Sequence, residues 1–288
     1  MHGKKILLIF WTSLALAGDF SGVSALDFTG KAVSFGPRPP GSAAIKKFQS
    51  YLVAQLKQYR CEVTVDAFTP RTPVGPVAMK NIIARFPGKS GRAVAFTGHY
   101  DTKLFSGFPF VGANDGGAST GFLLEMARAL NGRPRKDDVY LVWFDGEEAF
   151  GEWSSTDGIY GSRHLAGKWS QDGTAKRLMA LINVDMIGDK DLEIRQEMNS
   201  SAPVRRLVWQ VAADLGYSSY FTNEQLYIED DHMPFVRMGA PAIDLIDFSY
   251  GPNHSWWHTK LDTMDKVSAR SLQIVGDVLV EVLRRLEK

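Results

Sequence analysis

Acidic residues and histidines directly follow several apolar stretches of this sequence. The stretches are 92 to 98, 139 to 144 and 178 to 184, and the polar residues after them are His99 and Asp101, then Asp145, Glu147 and Glu148, then Asp185. If each stretch is a buried strand of one sheet, these residues meet at the edge formed by the carboxyl ends of the strands. Proteins with α/β sheets bind ligands at that edge, so the recurrence predicts a functional site there.

The adjacent acids Glu147 and Glu148 indicate a bound cation. Two neighbouring carboxylates repel each other unless a cation or a proton compensates their charge, or unless both point into water. Zinc can take one carboxylate as a ligand, and the other can then transfer protons. Asp115 is a further candidate, because the glycines of GANDGG (112 to 117) permit a tight backbone path that directs its carboxylate inward. Taken alone, Asp115 would equally suit a turn or a helix cap.

A nitrogen ligand is expected among the six histidines. His99, His232 and His258 are the candidates, and His258 is favoured because it follows the apolar stretch 241 to 246, where the chain returns to the same edge. One Asp, one Glu and one His leave a fourth coordination position open for substrate, which is typical of catalytic zinc. Oxygen-rich ligation without a thiolate favours zinc over copper or iron–sulfur chemistry.

The elements that must position these residues follow from hydrophobic periodicity. We predict strands at 61 to 68, 81 to 86, 92 to 98, 139 to 144, 178 to 184 and 241 to 246, and helices at 45 to 59, 118 to 131, 202 to 215 and 269 to 287. Short, continuous apolar runs separated by helices are typical of strands buried on both faces. The sequence therefore predicts an α/β fold with a central, mostly parallel sheet flanked by helices on both faces.

The N-terminal segment has the layout of a secretory signal peptide. Lys4 and Lys5 precede an apolar run from Ile6 to Ala17, and small residues follow up to Ala25. We expect residues 1 to 25 to be removed and residues 26 to 288 to form a single catalytic domain, exported to a periplasm or the medium. An uncleaved anchor or a buried first helix is the alternative interpretation.

Composition limits the possible partners. Lys plus Arg number 33 and Asp plus Glu 32, so the chain lacks the basic field that nucleic-acid binding requires. Cys61 is the only cysteine, which excludes an intrachain disulfide. We expect a monomer with no membrane contact after processing. The loop FGPRPPGS (35 to 42) is too rich in proline and glycine for regular structure.

Five motifs together resemble a known family. They are GHYDTK (98 to 103), GANDGG (112 to 117), FDGEEAFGEWSSTDGIYGSRHLA (144 to 166), EDDHMPF (229 to 235) and WHT (257 to 259). The chain resembles the glutaminyl-peptide cyclotransferases, which are themselves similar to zinc-dependent aminopeptidases. The resemblance implies an enzyme that closes an N-terminal glutaminyl residue of a peptide or protein to pyroglutamate and releases ammonia.

The resemblance also implies roles for individual residues. Asp115, Glu148 and His258 would hold one zinc ion, and Glu147 would be the general acid and base. The other implied residues are the supporting catalytic carboxylates Asp185 and Asp230 and the substrate-binding indoles Trp153 and Trp257. One departure is Asp244, which stands where the animal enzymes have a histidine, so the hydrogen-bond network around the site is expected to differ.

Two rival functions use the same residues. In a two-zinc aminopeptidase, Asp115 would bridge the metals, and His99 and Asp185 would hold the second ion. A peptide-binding protein without catalysis is the other rival, although binding alone does not require an uncoordinated Glu147. The long motif around Trp153 and the indole of Trp257 next to the candidate zinc histidine favour the cyclotransferase.

Overall fold

A mixed six-stranded sheet is the centre of the molecule in the computed structural model, which describes residues 19–288. The strand order is β1-β4-β6-β5-β7-β10. Strands β5, β6, β7 and β10 run parallel, whereas β4 pairs antiparallel with both β6 and β1. The strands are β1 (Glu62–Phe68), β2 (Arg71–Thr72), β3 (Gly75–Pro76), β4 (Met79–Phe86), β5 (Ala93–His99), β6 (Asp138–Phe144), β7 (Leu178–Asp185), β8 (Ile194–Glu197), β9 (Phe221–Leu226) and β10 (Ala242–Ile246).

Seven helices accompany the sheet within the described residues. They are α1 (Gly22–Val33), α2 (Ala43–Leu56), α3 (Gly117–Leu130), α4 (Tyr160–Asp172), α5 (Ala202–Asp214), α6 (Met233–Arg237) and α7 (Ala269–Leu286). Every residue of β5 and β6 is buried, which requires cover on both faces of the sheet. The predicted α/β class with a mostly parallel sheet is therefore confirmed.

Serine side chains cap the first turns of two predicted helices. The Ser42 side chain accepts the backbone N–H of Ile45 at 3.1 Å, so α2 begins with a capped first turn. Ser268 caps α7 in the same way. The buried residues of α7 recur at steps of three and four and pack into the main core. Elements α6, β8 and β9 were not predicted, because their sequences alternate less regularly between apolar and polar residues.

Helix α1 lies where the sequence predicted the end of a signal peptide. Residues 1 to 18 of that expected segment lie outside the described residues. The remainder is packed: the Phe20 ring lies 4.9 Å from that of Phe122, the N–H of Gly22 donates to Gln273 Oε1 at 2.6 Å, and Ala25 is fully buried. Phe20 and the residues after it are therefore part of the packed fold, and the expected cleavage point after Ala25 falls inside a helix.

The carboxyl ends of the parallel strands lie at one edge of the sheet. The ends of β5, β6, β7 and β10 and the loops that follow them carry most of the predicted site residues, and Asp230 comes from the segment between β9 and α6. In the part of the chain from residue 19 onwards, none of the helices combines the length and apolar character that a membrane span needs.

Candidate active site

The loop between β5 and α3 carries Asp115 into the site. Gly112 and Gly116 both have positive φ angles, at 51° and 79°. A Cβ on Gly116 would lie 2.5 Å from the carbonyl oxygen of Asp101, so only glycine permits this close approach between the two ends of the loop. The backbone N–H groups of Asn114 and Asp115 donate to the Asp262 carboxylate at 2.8 and 3.2 Å, which fixes the direction of the Asp115 side chain.

Asp101 holds the backbone of the glutamate pair. Its two carboxylate oxygens accept the N–H groups of Glu147 and Glu148 at 3.1 and 3.2 Å. Gly146 makes the turn out of β6 with φ of 72°. The two glutamates therefore leave the strand end in a fixed orientation, and both are buried. Because both side chains are buried, the alternative in which the two carboxylates point into water is excluded.

His258 joins the acids from the loop after β10. Its Nε2 lies 3.1 Å from Glu148 Oε1 and 3.3 Å from Asp115 Oδ2. The residue has φ of 54°, a left-handed conformation that is uncommon outside glycine. Its ring stacks on Trp257 at 4.1 Å, and the rings of Phe105 and Phe110 meet it edge-on. Aromatic packing therefore sets the orientation of this imidazole.

Asp115, Glu148 and His258 fit a zinc ion. One ligand atom from each lies within 4.8 Å of the others. Zinc bonds of about 2.0 to 2.2 Å in tetrahedral geometry put neighbouring ligand atoms about 3.3 Å apart, which matches the distances to His258 Nε2. Asp115 Oδ2 is buried without a hydrogen-bond donor, as a carboxylate oxygen reserved for a metal would be. Two oxygens, one nitrogen and no thiolate form a donor set typical of catalytic zinc.

A second cluster shares Asp115. His99 Nε2 lies 3.2 Å from Asp115 Oδ1 and 3.2 Å from Asp185 Oδ1. These three residues also satisfy the distances for a metal site. His99 is fully buried beneath the other cluster, and its Nδ1 faces Asp101 at 3.5 Å. The geometry thus brings together all the residues that the aminopeptidase alternative requires.

Electrostatics favour a protonated Glu147. Burial raises the pKa of this carboxyl well above its usual range; His99 opposes the shift, and the negative charges of Glu148 and Asp230 add to it. Asp185 behaves similarly, because burial raises its pKa to about 7. Glu147 is therefore suited to hold a proton in the metal-free site, and a cation bound beside it would favour the ionised form that accepts a proton.

One cavity of about 410 Å³ opens over these residues. Eight residues predicted from the sequence line it: Asp115, Glu147, Glu148, Trp153, Asp185, Asp230, Trp257 and His258. The Trp153 indole lies against Gly158, where a Cβ would approach the ring to 3.0 Å. Lys103 also lines the cavity, donating to the carbonyl of Ala149 at 3.0 Å. The structure thus assembles every predicted lining residue in one place, while their individual roles stay a prediction.

His232 does not reach the cavity. Its Nε2 lies 3.1 Å from Glu197 Oε2, and both residues are fully buried. Asp244 accepts from Asn183 Nδ2 at 3.1 Å, and the same amide donates to Asp230 at 3.1 Å. The Asn183 amide thus links two buried acids of the network around Asp244.

Sequence reasoning missed Asp262 and the role of Asp101. Asp262 lies four residues after His258 in a turn, and its carboxylate accepts two backbone N–H groups and the Tyr250 hydroxyl, the latter at 2.6 Å. A single acid in a polar loop has no periodic signal. For Asp101, its position directly after a strand was the available clue.

Comparisons with known proteins agree with this geometry. The model of peptidase family M28 matches residues 81–283. A glutaminyl-peptide cyclotransferase of Drosophila melanogaster is 31% identical over 252 residues, covering 78% of this chain and 70% of that protein. The crystal structure of an Acidobacteriales bacterium glutaminyl cyclase has a TM-score of 0.90 and 39% identity, with 99% of each chain covered.

A further structural relative bears on the metal. The crystal structure of a Zn-dependent exopeptidase from Parabacteroides distasonis has a TM-score of 0.84 and 28% identity, covering 93% of this chain and 99% of that one. Its zinc dependence agrees with the donor set found here. The family match spans most of the chain, and the cyclotransferase likeness spans most of both proteins. The chain belongs to peptidase family M28 and, within it, to the glutaminyl-peptide cyclotransferases.

Proposed function

We propose that this enzyme converts the N-terminal glutaminyl residue of peptides to pyroglutamate and releases ammonia. The observation that carries the proposal is a buried Glu147 that belongs to neither candidate metal cluster but lines the same cavity. A proton-transferring group next to a three-ligand metal site is what this ring closure needs.

Asp115, Glu148 and His258 would hold one zinc ion. When bound, the ion supplies Lewis acidity that polarises the side-chain amide carbonyl of the substrate. The two carboxylates would balance the formal charge of the ion, and three protein ligands would leave one coordination position open for substrate. We propose one zinc per chain, because Asp115, Glu148 and His258 all line the cavity, whereas His99 of the second cluster is buried and does not line it.

Glu147 would transfer the proton that the reaction moves. The α-amino nitrogen of the substrate attacks its own side-chain amide carbon, and a new C–N bond closes the five-membered ring. Glu147 takes a proton from the attacking amine and gives it to the departing nitrogen, which leaves as ammonia when the old C–N bond breaks. Asp230 would support Glu147, because its negative charge favours the protonated form of that carboxyl. Asp185, which lines the same cavity, would be the second supporting carboxylate.

Trp153 and Trp257 would form apolar walls that exclude water. A dry cavity favours attack by the amine over attack by solvent, so cyclisation wins over hydrolysis of the amide. The cavity of about 410 Å³ accommodates one residue with a short polar side chain and the start of the following residue. The substrate would therefore be a peptide or protein chain entering by its N-terminus.

The two-zinc aminopeptidase is the second candidate. It is favoured by the cluster of His99, Asp115 and Asp185, whose ligand distances also suit a metal. In that reaction Glu147 would activate a water molecule instead of an amine. The two functions share residues but release different products.

We also propose that the protein is exported and that the mature chain is a monomer. The charged and apolar order of residues 4 to 17 suits a signal peptide, and Ala15 and Ala17 offer the small-residue pattern of a cleavage site. We place the cut after Ala17, because a cut after Ala25 would divide α1. The mature protein would then keep the complete helix.

A product assay tests the reaction directly. Purified protein is incubated with one Gln-initiated and one Leu-initiated peptide, and both are followed by mass spectrometry. Loss of about 17 Da from the first peptide, with the second unchanged, is the expected result. A Leu peptide shortened by one residue would instead identify an aminopeptidase.

A further inference from the structure

Arg38, in the proline-rich loop 35 to 42, is a buried cation close to the metal-binding residues but outside the cavity. Its side chain is fully buried. Burial lowers the pKa of its guanidinium to about 10, against the opposing influence of Asp101, Asp262 and Asp115, so the group remains charged at neutral pH. A buried charge is costly and is retained where it forms several hydrogen bonds.

The Arg38 guanidinium donates five hydrogen bonds to backbone carbonyl oxygens. Two reach the N-terminal segment, at Ala32 (3.3 Å) and Gly36 (3.0 Å). The other acceptors are Tyr100 at 3.2 Å, Val111 at 3.0 Å and Gly112 at 3.4 Å. A planar guanidinium with several donors in fixed directions can reach all of these oxygens, whereas a lysine ammonium is a compact charge on a flexible stem.

The acceptors of Arg38 lie directly beside site residues. Tyr100 stands between His99 and Asp101, and Asp101 in turn holds the backbone of both glutamates. Gly112 lies shortly before Asp115 in the loop between β5 and α3. One side chain therefore connects the strand end that supports Glu148 with the loop that carries Asp115.

The backbone of Arg38 makes the same connection. Its N–H donates to the Thr102 hydroxyl at 2.8 Å, and its carbonyl accepts the N–H of Thr102 at 3.3 Å. The loop after β5 is thus held from both sides at Tyr100 and Thr102. The intervening Asp101 has little freedom to turn away from the glutamates.

We propose that Arg38 is a positioning residue, whose buried guanidinium sets the distance between the Asp115 loop and the Asp101–glutamate unit and so preorganises the metal ligands. This inference rests on the metal site proposed above. Packing alone would be served by an apolar side chain of similar length, which carries no desolvation cost.

The test compares zinc affinity in matched variants. Arg38→Met removes the charge and all donors at similar length, and Arg38→Lys keeps the charge without the planar guanidinium. Leu283→Ala is the control for general destabilisation, because Leu283 is a core residue near the end of α7, whereas Arg38 borders the site loops. Zinc dissociation constants are measured by competition with a chromophoric chelator, at a temperature where circular dichroism shows each variant folded.

We expect zinc affinity to fall about 10- to 100-fold in Arg38→Met and by a smaller factor in Arg38→Lys, as for other residues that orient metal ligands. Leu283→Ala should bind zinc within about twofold of the unaltered protein, because distant sites act independently. Should Arg38→Met not fold, Arg38→Lys alone decides the matter. Unchanged zinc affinity in the folded Arg38 variants would overturn the positioning role alone. An unaltered protein that binds no zinc would overturn the metal site as well.

Discussion

Glu147 and Glu148 are chemically identical neighbours with different surroundings. Glu148 Oε1 lies 3.1 Å from His258 Nε2, in the cluster that could hold a metal. Among the described residues, Glu147 belongs to neither group that could hold a metal. Burial raises the pKa of its carboxyl. We therefore propose Glu148 as a metal ligand and Glu147 as the residue that transfers a proton.

Replacing Glu147 with glutamine should abolish turnover and spare zinc binding. The amide cannot take a proton from the attacking amine, so we expect kcat to fall about 100- to 10,000-fold. Cyclisation kinetics and metal content per chain are measured on the same preparation. Glu224→Gln is a matched control, because this glutamate is exposed and pairs only with Arg195, at 3.3 Å. Loss of zinc together with activity would show that Glu147 is a ligand instead.

Individual site residues were predictable to different degrees. Glu147, Glu148 and Asp185 follow apolar strands, and a strand end is visible in the sequence. Asp262 was not predictable, because its importance comes from two backbone N–H groups on a loop nearly 150 residues away. Contacts of that range depend on the folded chain and leave no local pattern.

At the level of elements, buried strands were predicted closely. Strands β5, β6, β7 and β10 differ from the predicted ranges by at most a residue at each end, because strands covered on both faces form continuous apolar runs. Strands β8 and β9 were missed, since β9 is largely exposed and lies outside the main sheet. A buried helix at α1 was only the alternative interpretation, because its apolar and small residues also suit the end of a signal peptide.

The contacts of α1 predict where the mature chain begins. A chain that starts at Gly18 should be more stable than one that starts at Leu26, because the shorter chain lacks Phe20 and the first turn of the helix. Loss of a buried phenylalanine alone costs about 3 to 5 kcal/mol in free energy of unfolding. Urea denaturation of both chains measures the difference.

Mass spectrometry of the exported protein complements that comparison. A mature mass corresponding to Gly18–Lys288 is the predicted result. A mass corresponding to Leu26–Lys288, from a chain as stable as the longer one, would mean that the packing of residues 19 to 25 contributes nothing to the free energy of unfolding.

The net charge of the whole chain is only +1, but acidic residues are concentrated at the edge of the sheet that forms the site. Several of these acids are buried deeply enough to hold protons. Burial raises the pKa of Asp145 to about 8, with the charge of Asp101 adding to the shift, and burial raises that of Asp247 to about 7. Folding therefore takes up protons at neutral pH.

The stability of the metal-free protein should fall as pH rises from about 5 to about 8. The folded pKa of Asp145 lies above its unfolded value of about 3.9, so the folded state binds more protons across this window and unfolding releases them. Urea denaturation at several pH values measures the slope. Asp145→Asn should flatten it, because the amide keeps an oxygen for the Lys80 N–H and has no proton to lose. An equal slope in both proteins would contradict the assignment to Asp145.

The most direct measurement is a zinc titration of metal-free protein, following pyroglutamate formed from a Gln-initiated peptide. The ligand set of Asp115, Glu148 and His258 predicts activity that rises in proportion to added zinc and stops rising at about one equivalent per chain. Activity that needs two equivalents, or metal-free protein that cyclises the peptide at the full rate, would contradict a single zinc beside an uncoordinated Glu147.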